Sequence, residues 1–138
     1  MTHEQLRRLK EGSDVLDEHG QVLYAHQDYT LPPRKPSSYA YCSDTIFRPE
    51  LVPYLQGVSC LYHEATFLDE HTDRAKKTFH STARQAAWLA QEAQVGQLLI
   101  GHLSSRYHDA SASLEEARSV FPATAEAVEG NTYEITAA

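Results

Sequence analysis

The stretch Ser59-Cys60-Leu61-Tyr62-His63-Glu64-Ala65-Thr66 is a short apolar run that breaks into polar, titratable residues. The run over 59–62 reads as a strand. A polar connection over 68–79 leads to a helical pattern over 82–93, and Gln97-Leu98-Leu99-Ile100 then forms a second apolar run ending in Gly101-His102. Strand, helix and strand in that order make a βαβ unit, whose two strands lie parallel in one sheet.

The same alternation extends outward. Upstream, residues 39–42 read as a strand and 49–55 as a short helix with proline in its first turn. Downstream, 114–120 reads as a helix, and 124–128 and 132–136 as two closing strands. Ahead of this core, 2–11 is helical or irregular, and 14–24 reads as a β-hairpin around Glu18-His19-Gly20. Leu31-Pro32-Pro33-Arg34-Lys35-Pro36 cannot continue a helix or a central strand and is a connecting loop. The reading is an α/β chain forming a single, partial domain over 1–138, with a hairpin and connecting loop over 1–38 and a βαβ core over 39–138.

The helix over 82–93 is the best specified element. Thr82-Ala83-Arg84-Gln85 fits a capping box. Ala83, Ala86, Ala87, Ala90 and Ala93 fall on one face, which can approach a sheet closely.

Composition narrows the function classes. The chain has 138 residues, 41% of them hydrophobic, and a formal charge of -7. That apolar share excludes a disordered segment, and no apolar run nears the roughly 20 residues that span a bilayer. The polar start over 1–12 carries no secretion signal, so a soluble, cytoplasmic protein without a membrane partner is expected. The acidic balance argues against a surface that coats nucleic acid, though not against an enzyme acting on it. Cys42 and Cys60 both lie in strand-like runs and read as buried, reduced thiols.

In open α/β sheets ligands gather beyond the carboxyl ends of the strands. There the sequence offers Ser43-Asp44-Thr45, His63-Glu64-Ala65-Thr66 and Gly101-His102, with His80-Ser81-Thr82 at the start of the capped helix. Asp44 and His102 are residue types that hold zinc or manganese, but Asp44 also suits a turn cap and His102 a structural role. His80, backed by a carboxylate such as Glu64, would be a general acid held ready; an exposed loop histidine beside a surface glutamate is the plainer alternative. Arg106 suits either phosphate or an ordinary ion pair. His3, His19, His26, His71 and His108 fall in polar turns and termini, where solvated positions are expected. The basic groups Arg7-Arg8-Lys10, Arg34-Lys35 and Arg74-Lys76-Lys77 read as solvated faces, the last close enough to His80 to guide a polyanion.

Together, Tyr41-Cys42-Ser43-Asp44-Thr45, Leu61-Tyr62-His63-Glu64-Ala65-Thr66-Phe67, Phe79-His80-Ser81-Thr82-Ala83 and Gly101-His102-Leu103-Ser104-Ser105-Arg106-Tyr107 resemble ribonuclease Z. This is the tRNA 3′-processing endoribonuclease of the metallo-β-lactamase superfamily. Leu9-Lys10-Glu11-Gly12 and Pro32-Pro33-Arg34 are similar to family segments too. The resemblance implies the carboxyl-terminal half of a metallo-β-lactamase-type αββα sandwich. It implies that Asp44 bridges two zinc ions and that His102 is a late histidine ligand. It implies that His80, supported by Glu64, serves the leaving group of the cleaved phosphodiester, with Ser81, Thr82 and Arg106 near phosphate and His63 in the same substrate-binding motif.

The His-x-His-x-Asp-His pattern that supplies most family metal ligands occurs nowhere in the chain. Two ligands cannot hold a dinuclear site. The expectation is therefore the carboxyl-terminal part of a zinc-dependent tRNA 3′-endonuclease, inactive alone, acting on precursor tRNA as a homodimer or with a missing amino-terminal half. The competing expectation is a catalytically silent module of the same fold for dimerisation or for binding RNA or protein. A sandwich lacking one half would also leave apolar sheet exposed.

Overall fold

The structure, a computed structural model, describes residues 1–137. It falls into two compact units, 1–34 and the residues from Lys35 onward. In the first, helix α1 (His3–Lys10) starts at a capping box in which Thr2 and Gln5 satisfy each other, and it buries Leu9. Strands β1 (Val15–Leu16) and β2 (Val22–Tyr24) pair antiparallel, as the hairpin reading expects. Asp17 Oδ1 shapes the turn by accepting the backbone N–H of His19 at 2.8 Å and of Gln21 at 2.9 Å.

Helix α2 (His26–Tyr29) follows in a place where the sequence shows no helical period. Asp14 accounts for it, because its Oδ1 lies 2.8 Å from both the backbone N and the ring Nδ1 of His26. His26 is thus a half-buried, paired residue rather than a solvated one. Those bonds hold the Asp14 carboxyl below its ordinary range, the backbone bond contributing most. Residues 31–36 form neither helix nor strand.

The second unit is a parallel sheet in the order β3 (Tyr39–Cys42), β4 (Cys60–Glu64), β5 (Gln97–Gly101) and β6 (Thr124–Glu126). Between β3 and β4 the chain makes a turn of 3-10 helix, Pro49–Leu51, and helix α3 (Val52–Leu55). Helix α4 (Thr72–Lys77) and helix α5 (Ala83–Glu92) connect β4 to β5, and helix α6 (Ser111–Val120) connects β5 to β6.

The capping box at Thr82 and Gln85 forms as its sequence requires. Ala83, Ala86, Ala87, Ala90 and Ala93 are completely buried and pack with Leu61, Leu98 and Ile100 of the sheet. The small side chains let the helix lie close to the strands, which fixes where it begins. Strand alternation sends Tyr39, Tyr41 and Tyr62 to the opposite face. There Tyr41 remains 65% exposed while its ring stacks on Tyr62 at 4.7 Å. Cys42 and Cys60 are free thiols, half-buried and buried, and burial pushes both upward.

Two expected elements differ. Residues 69–77, read as loop, contain a 3-10 turn and α4; only Ala75 is buried there, so the sequence carries no apolar stripe. Residues 132–136, read as a strand, have no ladder partner among the described residues. Instead the Tyr133 hydroxyl folds back, accepting the N–H of Val128 and donating to the carbonyl of Glu126.

Candidate active site

The carboxyl ends of β3, β4 and β5 lie side by side because the register aligns Cys42 with His63 and Glu64 with Gly101. The residues just beyond them meet the segment leading into α5. One potential ligand atom each from Asp44, Glu64, His80 and His102 lies within 4.8 Å of the others. Asp44 at φ 49° and His102 at φ 56° are in the left-handed region, as is Phe79, next to His80, at φ 59°. Among the described residues these are three of the four non-glycine positions so strained, and such strain persists where the surroundings over-determine it.

Glu64 is the hub. Its Oε1 accepts the backbone N–H of Thr45 at 2.7 Å and faces His80 Nδ1 at 2.9 Å. Its Oε2 accepts the Thr66 hydroxyl at 2.6 Å and the backbone N–H of Ser81 at 3.1 Å. Burial alone would push this carboxyl up, but the four hydrogen bonds outweigh it and hold Glu64 below the usual carboxylate range. With both oxygens doubly engaged, Glu64 has no lone pair to spare for a cation. It orients instead. With Nδ1–H of His80 anchored on the carboxylate, the Nε2 of that ring is left as its working atom.

Thr66 links the two halves of the cluster. Its one proton goes to Glu64, so its oxygen accepts from Nδ1–H of His102 at 3.0 Å. That turns the Nε2 of His102 towards Asp44 Oδ1, 3.3 Å away. A lone pair facing a carboxylate is satisfied by a shared proton or by a cation between them, and both residue types suit a divalent metal. Two donors are fewer than the three or four that a tight site needs. The pair fits part of a metal site and does not fit a complete one.

The other residues that the sequence singles out are placed differently. His63 is completely buried on the helix-facing side of β4, so it cannot touch a ligand there. Its Nδ1–H donates to the carbonyl of Glu64 at 2.7 Å, and its Nε2 has no partner among the described residues. Burial pushes this imidazole below its ordinary value despite that hydrogen bond. Ser81 and Thr82 are also buried: the Ser81 hydroxyl donates to the carbonyl of Thr45, and Thr82 caps α5. Their contribution is structural, apart from the Ser81 N–H on Glu64. Arg106 is exposed and lies over the Phe67 ring at 5.3 Å, the ring whose centroid is 6.2 Å from that of His80.

Sequence reasoning carries Thr66 within the His63-Glu64-Ala65-Thr66 motif without giving it a role, and it missed the residues that hold the His80 segment. Tyr107 accepts the N–H of Leu68 at 2.8 Å and lies 3.0 Å from His71 Nδ1, so His71 is not a solvated side chain. Glu116 of α6 accepts the N–H of Asp69 at 2.9 Å and of Arg84 at 3.0 Å, gripping that segment at both ends.

No protein-family model matches the chain. It is 48% identical over 132 residues to ribonuclease Z of Cytophaga hutchinsonii, which spans 96% of this chain and 42% of that protein. It is 54% identical over 120 residues to ribonuclease Z of Bacteroides fragilis, spanning 87% of this chain and 39% of the relative. Among solved structures, the metallo-β-lactamase fold protein YhfI of Bacillus subtilis matches with a TM-score of 0.57 and 23% identity, over 62% of this chain and 35% of that one. This likeness places the parallel sheet and its helices in the metallo-β-lactamase fold. The chain spans about two fifths of the length of the curated relatives it matches. On that likeness the chain belongs to the ribonuclease Z family.

Proposed function

We propose that this chain is the carboxyl-terminal part of a zinc-dependent endoribonuclease that removes the 3′ trailer from tRNA precursors. The observation that carries this reading is the pairing of Glu64 with His80 at 2.9 Å beside the pairing of Asp44 with His102 at 3.3 Å, in one cluster at the ends of three parallel strands. The names of the relatives support it. In this assignment Asp44 and His102 share zinc with donors supplied from outside these 138 residues. The chain alone is inactive, because two donors do not retain the metal.

Phosphodiester hydrolysis needs a proton for the departing oxygen. His80 suits that role, since the buried Glu64 carboxylate fixes the ring through Nδ1 and leaves Nε2 directed away from it. Nε2 then presents the proton. Asp44 and His102 face each other directly, with Thr66 holding the His102 ring from its other side, at a distance suited to a positive centre between them. The protein acts in the cytoplasm, as a homodimer or joined to the amino-terminal half. No helix among the described residues is long and apolar enough to cross a membrane.

Co-expression with a family amino-terminal half carrying the absent histidine cluster provides the test, with cleavage of a precursor tRNA at its 3′ trailer as the readout. Cleavage that disappears with His80→Ala or Asp44→Ala is the expected result. A well-folded complex that never cuts would overturn the assignment in favour of a silent module.

A further inference from the structure

Next to His80 lies a cleft that the proton-donor role does not use. A cavity of about 270 Å³ bounded by His80, Lys76 and Phe47 adjoins one of about 390 Å³ bounded by Phe47, Arg84 and Trp88. The two share Phe47 and Gln85, so they lie side by side from the His80 imidazole along the first turns of α5. Phe47 and Trp88 meet edge to face, with centroids 5.5 Å apart at 79°. In that arrangement one ring offers its edge to the other, so the partner ring does not cover its faces. Trp88 remains 36% exposed on a helix whose alanine face is fully buried.

The charge of the cleft is also selective. The chain as a whole carries -7, yet none of the residues bounding either cavity is a carboxylate, while Lys76 lines one and Arg84 the other. The Arg84 guanidinium lies 3.5 Å from Asp69, but both side chains are half-exposed and such a pair is weak, leaving the arginine available to an anion. Stackable aromatic rings, two cations and no acid describe a place for a flat group attached to phosphate.

We propose that this cleft is a nucleotide subsite that takes one base of single-stranded RNA flanking the scissile phosphodiester, stacked against the Phe47 and Trp88 pair, with Lys76 and Arg84 on its phosphate. The proposal rests on the endoribonuclease reading and adds to it where the strand runs beside His80. It also assigns to Trp88, a partly exposed position of α5, a role in holding substrate.

Trp88 is the only tryptophan, so its emission reports directly on the cleft. The chain is titrated with a single-stranded hexauridylate and, separately, with inorganic phosphate, while the anisotropy of end-labelled hexauridylate reports binding independently. Saturable quenching by the RNA and none by phosphate is expected. Because base–aromatic stacking is sequence-tolerant and contributes strongly per base, Phe47→Ala and Trp88→Ala should each weaken RNA binding about tenfold, and Trp88→Phe less than threefold. Circular dichroism of each variant separates a lost contact from a lost fold. RNA binding by anisotropy with unmoved Trp88 emission and unweakened Phe47→Ala affinity would overturn the subsite and leave the RNA reading intact. Absence of RNA binding in both readouts overturns the RNA reading and the subsite with it. Quenching by an uncharged apolar peptide but not by RNA identifies a protein-docking groove and also overturns the subsite.

Discussion

A Cβ built on Gly101 would lie 2.5 Å from the hydroxyl of Tyr62 and 2.9 Å from its ring, so the tyrosine occupies the space that any other residue would need. Gly101 ends β5 immediately before His102, and Tyr62 stacks on Tyr41. Gly101→Ala therefore makes the Tyr62 ring shift and should cost about 1 kcal/mol in urea denaturation. Repeating the substitution in a Tyr62→Ala background should reduce that cost to under about 0.5 kcal/mol, because the clash is gone. An unchanged cost would show that the strain lies elsewhere.

Glu64→Gln keeps the shape of the hub but replaces acceptor lone pairs with an amide. One amide face must then oppose a backbone N–H of Thr45 or Ser81, or the Thr66 hydroxyl. A destabilisation of about 3 kcal/mol is expected, the cost of leaving a buried donor unmatched. The midpoint of denaturant unfolding at neutral pH measures it.

Acid should weaken the fold in two stages. His63 is held neutral by burial, while in the unfolded chain it takes a proton below about pH 6.5. Stability therefore starts to fall as pH drops below that value. Glu64, whose folded carboxyl lies below its ordinary range, contributes stability that is complete above its unfolded value of about 4.3 and is lost as pH falls through the lower folded one. His63→Leu should flatten the first stage and leave the second. Stability measured from about pH 7 down to about pH 3 on both proteins distinguishes them.

Thr66→Val removes the donor to Glu64 and the acceptor for His102 in one change. It should cost about 2 kcal/mol, whereas Thr66→Ser, which keeps the hydroxyl, should stay within about 1 kcal/mol of the parent. The imidazole NMR signals of His80 and His102 should both move in the valine variant. If only one moves, Thr66 does not couple the two pairs.

Chelator-washed chain dialysed against micromolar zinc should retain well under one equivalent, because the donors it offers in the cluster, Asp44 and His102 with only the Nε2 of His80 beside them, do not complete a site and Glu64 is saturated by hydrogen bonds. Elemental analysis checks this. A content near two zinc ions per chain would contradict the incomplete site.

The parts of the molecule legible in its sequence are those whose determinants are local. The Thr82 cap, the alanine face behind it and the apolar runs at Leu61 and Leu98 each carry their own pattern, and each forms. Helix α4 does not, because one buried alanine leaves no stripe to detect. The alternation over 132–136 resembles a strand, but alternation describes exposure and cannot supply a neighbour to pair with. At the site, motif residues name Asp44, Glu64, His80 and His102. Thr66 and Glu116 escape such a reading because their roles depend on partners that only the fold brings within reach.

The double grip of Glu116 gives helix α6 a mechanical hold on the segment that carries His80. Because one carboxylate clasps Asp69 and Arg84 together, the chain between them behaves as a closed loop hung from that helix. Unseating α6 would release both ends of that loop at once, and with them the segment that sets His80 against Glu64. Damage at the far end of the chain would thus reach the pairing of His80 with Glu64.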